Sequence, residues 1–169
     1  DPQHPQRAAV EQCPQGHVFI VDSRKDPRAA SAGGILVTRL MVRGAAGVVT
    51  DGGFRDSPEI ASLDIPAYHQ RPSAPTNLIQ HQAIEFNGPI GCGDVPVFPG
   101  DIIVGDAEAV CVIPAHMADE IAAEAKEMTA FEDFVTERVR AGQSIIGLYP
   151  PTHDETKVAF DAWRKSSGR

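Results

Sequence analysis

The chain has 169 residues, of which 42% are hydrophobic, 22% charged and 6% aromatic, the proportions of one soluble globular domain with little room for a second. Fifteen Lys and Arg against 23 Asp and Glu give a net charge of −8, which disfavours direct nucleic-acid binding because it repels phosphate backbones. No apolar stretch reaches the roughly 18 residues of a membrane helix, and the N-terminus is unlike a signal peptide, so we expect a cytoplasmic protein without a membrane partner.

The three cysteines, Cys13, Cys92 and Cys111, lie far apart and form no CxxC pair. This spacing predicts neither a disulfide framework nor a structural zinc site. We expect reduced thiols, with Cys92 and Cys111 buried. A nucleophilic role for Cys92 is disfavoured, because no neighbouring cation in the sequence would lower the pKa of its thiol.

The first third of the chain predicts a strand, a glycine turn, a helix and a second strand, at residues 17–22, 33–34, 35–43 and 47–50. Gly44 supplies the stop signal of the helix. The second strand is β-branched and leads into the loop DGGFRD at residues 51–56. This order is typical of a βαβ-like unit with polar residues at the end of its second strand.

The middle of the chain predicts shorter strands. Residues 65–69 and 83–86 are strand candidates, and the prolines of residues 71–76 exclude regular structure between them. From 91 to 114, short apolar runs joined by Pro-Gly-Asp and Gly-Asp turns favour a compact sheet or barrel-like layer. Asp101 and Asp106 follow glycines in these turns, where an aspartate caps backbone groups more often than it binds a metal.

The last third is predicted to be helical. One helix extends from Ala115 to about Arg140, and a terminal helix over residues 152–165 has Phe160 and Trp163 as its apolar contacts. Pro150 and Pro151 separate the two. We therefore expect a single α/β domain at residues 1–150 and a C-terminal helical tail at 151–169.

Two glycine-bearing loops hold the residues best suited to chemistry. Gly33 and Gly34 precede a helix, whose free backbone N–H groups and positive dipole end favour a carboxylate or phosphate. Arg55 adds a planar fork for the same anion, and Asp56 an oxygen ligand for a hard cation. The structural alternative stays open, because glycine pairs at turns and neighbouring Arg-Asp residues most often serve loops. The six histidines show no metal-ligand spacing, so His69 and His81 are interpreted as surface or packing residues.

The segments GGILVTRLMVRGAAGVVTDGGFRD, PIGCGDVPVFPGDIIVGD and AVCVIP resemble the RraA-like family over about residues 17–140. That family includes regulators of RNase E activity and class II 4-hydroxy-4-methyl-2-oxoglutarate/oxaloacetate aldolases. The resemblance implies an α/β fold related to the phosphohistidine swivelling domain, with a mixed β layer and flanking helices. It also implies homotrimers or hexamers with sites at subunit boundaries, and a divalent cation, usually Mg²⁺, with Mn²⁺ or another divalent ion as alternatives.

The resemblance also implies residue roles. Asp56 is similar to the metal-anchoring aspartate, Arg55 to the residue that grips a 2-keto acid, and both are the expected catalytic residues. The backbone N–H groups of the loop Gly33, Gly34, Ile35 and Leu36 are expected to receive the substrate carboxylate. The implied reaction cleaves a C–C bond of 4-hydroxy-4-methyl-2-oxoglutarate or oxaloacetate and releases pyruvate or another small keto acid, with the metal and Arg55 stabilising an enolate.

Two features depart from the family pattern. Where the aldolases carry an acidic residue after the first glycine of the loop, this chain has Gly34. Because a positioned acid or base contributes about 10²–10⁴-fold, we expect metal and keto-acid binding with slow turnover, and a faster rate in Gly34→Asp. Relatives also have several dozen further residues, mainly helical, before the strand at 17–22, so the chain is either a fragment or a variant.

Two other functions remain open on the sequence. One is a non-catalytic regulator that binds and inhibits a ribonuclease or other partner protein through its surface. Members of that kind tend to lose the metal aspartate, whereas this chain keeps Asp56, which favours metal binding. The other is a metal- and ligand-binding member with a different lyase-type reaction.

Overall fold

The computed structural model of the protein describes residues 4–168. The chain divides into two compact units, Asp1–Ala115 and His116–Arg169. The division into a domain at 1–150 and a tail at 151–169 stays a prediction. The elements of the first unit are, in order, α1 (Pro5–Gln12), β1 (Val18–Val21), β2 (Ala30–Ala32), α2 (Gly34–Val42), β3 (Gly47–Thr50), β4 (Gly53–Phe54), α3 (Ser57–Ile60), β5 (Ala67–Tyr68), β6 (Arg71–Pro72), β7 (Ile90–Cys92), β8 (Val95–Val97), β9 (Ile102–Gly105) and β10 (Val110–Ile113).

The predicted strand, helix and strand form a parallel βαβ unit. β1 pairs with β3 in parallel, from Val18 opposite Gly47 to Val21 opposite Thr50, and α2 lies between them in the chain. β5 joins the free side of β3, which gives the strand order β1-β3-β5. Val37 and Leu40 of α2 are buried together with Val48 of β3 and Phe54 in the core of this unit.

A second parallel sheet, with the order β2-β4-β6, places the loops of interest. Its strands are two or three residues long, and the sequence pattern predicted neither β2 nor β4. The exclusion of regular structure from 71–76 is wrong for β6, Arg71–Pro72. Pro72 lacks an N–H group but lies on an edge strand, where the loss of one donor is tolerated. The next residue, Ser73, donates its N–H to the carbonyl of Phe54 at 2.8 Å.

The remaining strands form two antiparallel ribbons, β7-β8 and β9-β10, where the sequence predicted a compact sheet or barrel-like layer. In each ribbon a short turn joins the two strands, and these strands pair with each other, so the four strands do not form one sheet. The predicted strand at 83–86 is wrong, because this segment has no regular structure and leaves the side chain of Ile84 87% exposed.

The capping roles predicted for two aspartates are confirmed. Asp101 accepts hydrogen bonds from the N–H groups of Phe98 and Ala115, at 2.8 and 3.1 Å. Asp106 accepts from the N–H groups of Glu108 and Ala109, at 2.8 and 3.0 Å. Both carboxylates therefore hold turns of the β9-β10 region.

Helix α1 was not predicted, because its segment is polar and rich in proline. Pro5 occupies the first turn, where its missing N–H has no intrahelical partner to lose. The helix buries Ala9 and Val10, and its Glu11 pairs with Arg39 of α2 at 2.8 Å. Tertiary contacts therefore compensate for the weak helical signal of this segment.

The second unit contains α4 (Ala118–Arg140) and α5 (Asp154–Ser167), in agreement with the two predicted helices. Phe134, Val135 and Leu148 form its buried centre. The predicted contacts of Phe160 and Trp163 are confirmed, since both rings pack on Phe134 with centroid distances of 5.6 and 5.8 Å.

All three cysteines are free thiols. Cys13 is buried and Cys92 half-buried, whereas Cys111 is exposed, so the expected burial of Cys111 is wrong. Cys111 lies in the two-stranded β9-β10 ribbon, which leaves its side chain uncovered within this chain. Between residues 4 and 168, no helix is both long enough and apolar enough to cross a membrane.

Candidate functional site

The two loops singled out in the sequence meet at one edge of the β2-β4-β6 sheet. Gly33 and Gly34 follow β2, and Arg55 and Asp56 follow β4. Because the strands are parallel, their carboxyl ends lie at the same edge. The Arg55 N–H donates to the carbonyl of Ala32 at 2.9 Å, which fixes the second loop against the first.

The carboxylate of Asp56 is the centre of this site. Its Oδ2 accepts a hydrogen bond from the Gly34 N–H at 3.1 Å and one from Arg55 Nε at 3.3 Å. The Gly34 hydrogen bond, followed by the bond and charge of Arg55, lowers the pKa of Asp56 below its ordinary value, although partial desolvation acts in the opposite direction. Asp56 is therefore an anion at neutral pH.

The backbone of Asp56 is in the left-handed region, with φ = 59°. Few residues other than glycine adopt this conformation, and aspartate is among those that tolerate it. Directly after it, Ser57 and Pro58 begin the four-residue helix α3. The sharp change of direction at Asp56 thus separates β4 from α3 and leaves the carboxylate beside the Gly33-Gly34 turn.

The reason for glycine at position 33 is steric and not conformational. Its backbone is extended (φ = −125°), which any residue could adopt. A Cβ atom at Gly33 would lie 2.9 Å from Asp56 Oδ2 and 3.2 Å from the Arg55 guanidinium nitrogens. Both side chains therefore occupy the volume that a larger residue at position 33 would fill.

Glu59, which was not among the site residues predicted from the sequence, lies beside Gly34. A Cβ atom on Gly34 would lie 3.0 Å from the carboxyl carbon of Glu59, so this carboxylate stands over the first residue of α2. Glu59 is exposed and belongs to α3. It lies three positions after Asp56, the residue that directly precedes α3, and this short spacing was its signal in the sequence.

Hydrogen-bond donors remain beside the carboxylate of Asp56. The Leu36 and Val37 N–H groups donate to the carbonyl of Gly33, at 3.1 and 3.2 Å. Within residues 4–168, the Ile35 N–H and the terminal nitrogens of Arg55 have no protein acceptor. The start of α2 and Arg55 can therefore receive an anion, with the positive end of the helix dipole contributing.

The site suits a cation that is bound mainly by water and substrate. Nowhere in the part of the chain that the structure describes do three His, Cys, Asp or Glu side chains group as metal ligands. Mg²⁺ commonly binds proteins through one or two carboxylates and keeps several of its water molecules. Asp56, which is 38% exposed, together with Glu59 fits that donor set, whereas a closed cage for Zn²⁺ does not fit.

Asp51, at the start of the DGGFRD loop, has a structural role. It is 6% exposed and accepts hydrogen bonds from the N–H groups of Ser23, Lys25 and Gly93, at 2.6, 3.0 and 3.2 Å. Ser23 and Lys25 lie in the loop between β1 and β2, and Gly93 lies in the turn between β7 and β8. Asp51 therefore ties the end of β3 to its surroundings and does not reach the Asp56 site.

The histidines behave as packing residues, in agreement with the sequence analysis. His69 packs edge-to-face on Phe54 at a centroid distance of 5.1 Å, and burial lowers the pKa of its imidazole. His81 Nε2 lies 3.1 Å from the carbonyl oxygen of Asp26. Cys92 is no better suited to nucleophilic chemistry, because burial, together with the nearby carboxylates of Asp51 and Asp22, raises the pKa of its thiol to about 11.

Comparisons with known proteins converge on one family. The model of the RraA-like family, described as Aldolase/RraA, matches residues 2–112. The chain is 34% identical over 125 residues to a protein of Halalkalibacterium halodurans named "Putative 4-hydroxy-4-methyl-2-oxoglutarate aldolase", a match that covers 74% of this chain and 59% of that protein. The chain spans less than two thirds of the length of the curated relatives that it matches first.

Solved structures agree with this assignment. An uncharacterized protein from Pseudomonas syringae pv. tomato superposes with a TM-score of 0.78 at 21% identity, covering 83% of this chain and 70% of that one, which shows the fold alone. Streptomyces coelicolor RraAS2, described as an unusual member of the RNase ES inhibitor RraA protein family, superposes with a TM-score of 0.71 at 27% identity, covering 79% and 68%. The expected α/β fold of this family is thereby confirmed.

Proposed function

Since the chain belongs to the RraA-like family, we propose that it is a divalent-metal-dependent lyase that cleaves a C–C bond of a small 2-keto acid. Oxaloacetate and 4-hydroxy-4-methyl-2-oxoglutarate are the proposed substrates. The observation that carries the proposal is the convergence of the Gly34 N–H and Arg55 on the carboxylate of Asp56. An anionic oxygen ligand and anion-binding donors thus lie side by side.

Asp56 is the proposed ligand of Mg²⁺ or Mn²⁺. Its lowered pKa keeps it ionised, and its exposure leaves room for water molecules and a substrate around the cation. When bound, the cation supplies positive charge that polarises the keto oxygen of the substrate.

Arg55 and the start of α2 are the proposed substrate-binding groups. The Ile35 N–H and the terminal nitrogens of Arg55 supply donors for a carboxylate next to a keto group, with Gly33, Gly34 and Leu36 shaping the turn. Cleavage of the C–C bond would release CO₂ from oxaloacetate, or pyruvate from 4-hydroxy-4-methyl-2-oxoglutarate as its hydroxyl proton passes to water. Both reactions leave an enolate, which takes a proton from water to become pyruvate. The fixed positive charge of Arg55 would stabilise the negative charge on the enolate oxygen as it forms. Arg55 therefore has a binding role and a catalytic role.

A second function has one observation in its favour. The RraAS2 structure, which superposes over 79% of this chain, is described as a member of an RNase-inhibitor family. Under this alternative the chain binds a ribonuclease or another partner protein and has no turnover. The lyase is preferred because Asp56 is present and its carboxylate is held by two donors.

The test is pyruvate release from oxaloacetate and from 4-hydroxy-4-methyl-2-oxoglutarate, measured with Mg²⁺ and again after addition of a chelator. A blank with Mg²⁺ and no protein corrects for decarboxylation in solution. We expect release above the blank that the chelator abolishes. Release at the level of the blank from both substrates, with Mg²⁺ and with Mn²⁺, would overturn the lyase proposal and favour the partner-binding alternative.

A further inference from the structure

The carboxylate of Glu59 occupies the space that a side chain at position 34 would occupy. The ideal Cβ position of Gly34 lies 3.0 Å from the carboxyl carbon and from Oε2 of Glu59, and 3.2 Å from Oε1. The whole carboxylate therefore covers the side-chain direction of Gly34. The contact is between residues 25 positions apart in the sequence, and it exists because α3 folds back on the start of α2.

The Glu59 carboxylate is also without a counter-ion. Among residues 4–168 it accepts no hydrogen bond and pairs with no Lys, Arg or His, whereas Asp56 has both the Gly34 N–H and Arg55. Two carboxylates thus lie beside the Gly33-Gly34 turn, and Arg55 pairs with that of Asp56. A divalent cation with its water molecules would offset their negative charge, and the waters would need acceptors.

We propose that Glu59 is the second carboxylate of the cation site, accepting hydrogen bonds from water molecules on a cation held by Asp56. This inference rests on the proposed function. It assigns Glu59 a positioning role, since Glu59 acts through the water ligands. It also changes the expectation for Gly34→Asp: the new carboxylate would enter the volume of Glu59, so we expect no faster reaction from this substitution alone.

The first test is calorimetric titration with Mn²⁺ of four proteins: wild type, Glu59→Gln, Asp56→Ala and the control Glu85→Gln. Glu85 is an exposed carboxylate of the same unit, so its substitution removes the same charge elsewhere. We expect Glu59→Gln to weaken Mn²⁺ binding about tenfold, as loss of an outer-sphere partner does. We expect Glu85→Gln to bind as wild type does and Asp56→Ala to lose binding.

The second test removes the carboxylate at position 59 and places a new one at position 34. Gly34 is in helical conformation at the start of α2, where aspartate is well tolerated, and Glu59→Ala frees the volume that a side chain at position 34 would enter. Gly34→Asp/Glu59→Ala should therefore fold, as circular dichroism can verify. We expect this double variant to regain Mn²⁺ affinity close to that of wild type. The matched control Gly34→Ala/Glu59→Ala, which adds a side chain at position 34 without charge, should bind Mn²⁺ weakly.

The outcomes separate the two proposals. If Glu59→Gln binds Mn²⁺ like wild type while Asp56→Ala does not, the role of Glu59 is overturned and the cation site at Asp56 stands. If Asp56→Ala also binds like wild type, the proposed function loses its cation site. If Glu59→Gln binds Mn²⁺ weakly but the double variant Gly34→Asp/Glu59→Ala does not restore binding, the claim that Glu59 replaces a side chain of residue 34 is overturned.

Discussion

Asp56 and Arg55 are adjacent in the chain, yet the structure gives them different constraints. The carboxylate of Asp56 is fixed by a backbone donor from another loop, the Gly34 N–H, as well as by Arg55 Nε. Arg55 is 40% exposed and uses one nitrogen in this contact, so most of its hydrogen-bonding capacity faces solvent. The pair therefore combines a fixed anion with a cation that can still bind a ligand.

Arg55→Lys tests this division at the residue scale. A lysine keeps the positive charge but cannot form two parallel hydrogen bonds with a carboxylate, so it should hold the substrate less well. We expect kcat/KM for oxaloacetate to fall about tenfold or more, because a hydrogen bond to a charged group contributes about 1.5–3 kcal/mol. Mn²⁺ affinity should change little. If KM and kcat equal those of wild type, Arg55 has no place in the site.

The DGGFRD motif was sufficient to predict Asp56 and Arg55 as neighbours of the glycine turn, and the structure brings these loops together. Glu59 could not be predicted in the same way. Its contact with Gly34 depends on the left-handed turn at Asp56, which reverses the chain into α3. A sequence pattern reports spacing along one element, and this contact is between two elements.

At the scale of elements, the long apolar runs were predictable and the short strands were not. β1, α2 and β3 are runs rich in apolar residues, half-buried in β1 and buried in part of α2 and in β3, and all three were predicted near their observed bounds. β2 consists of Ala, Ser and Ala, and β4 of Gly and Phe, so both are too short for an alternating hydrophobic pattern to be recognised in the sequence. Their pairing is decided by tertiary contacts, which override local propensity.

Tertiary contacts also fix the end of β3, because Asp51 binds the β1-β2 loop through Ser23 and Lys25 and the β7-β8 turn through Gly93. Asp51→Ala leaves the N–H groups of Ser23, Lys25 and Gly93 without their acceptor in a buried region. We expect the free energy of unfolding, measured with urea, to fall by about 2–4 kcal/mol. Asp64→Ala, at an exposed carboxylate, should change it by less than about 0.5 kcal/mol. A similar effect of both substitutions would refute a structural role for Asp51.

At the scale of the whole molecule, the first unit leaves several apolar side chains exposed, and further copies of the chain would cover them in the predicted homotrimer or hexamer. Ile35, Leu78 and Ile84 are 80%, 74% and 87% exposed. Ile35 belongs to the proposed substrate-binding turn, so a neighbouring subunit near it would also shield the site. Sequence reasoning reached the same proposal, a homotrimer or hexamer, through the family resemblance alone.

Light scattering at micromolar concentration tests this assembly. We expect a mass three or six times that of the 18.1 kDa chain, because a site at a subunit boundary requires the partner to complete it. Replacing Ile84 with Asp should shift the mass towards that of the single chain if this side chain is at the interface. A wild-type mass near 18.1 kDa would refute the trimer and the hexamer for this chain.

The most direct measurement of whether turnover depends on the carboxylate of Asp56 is pyruvate release from oxaloacetate by wild type and Asp56→Asn at saturating Mg²⁺. Asparagine keeps the size of the side chain, and its amide oxygen can still accept from the Gly34 N–H, so the variant removes charge with little change in shape. A bound cation contributes several kcal/mol to catalysis, so we predict a loss of about 100-fold or more. Equal rates above the blank for the two proteins would contradict a role of this carboxylate in turnover.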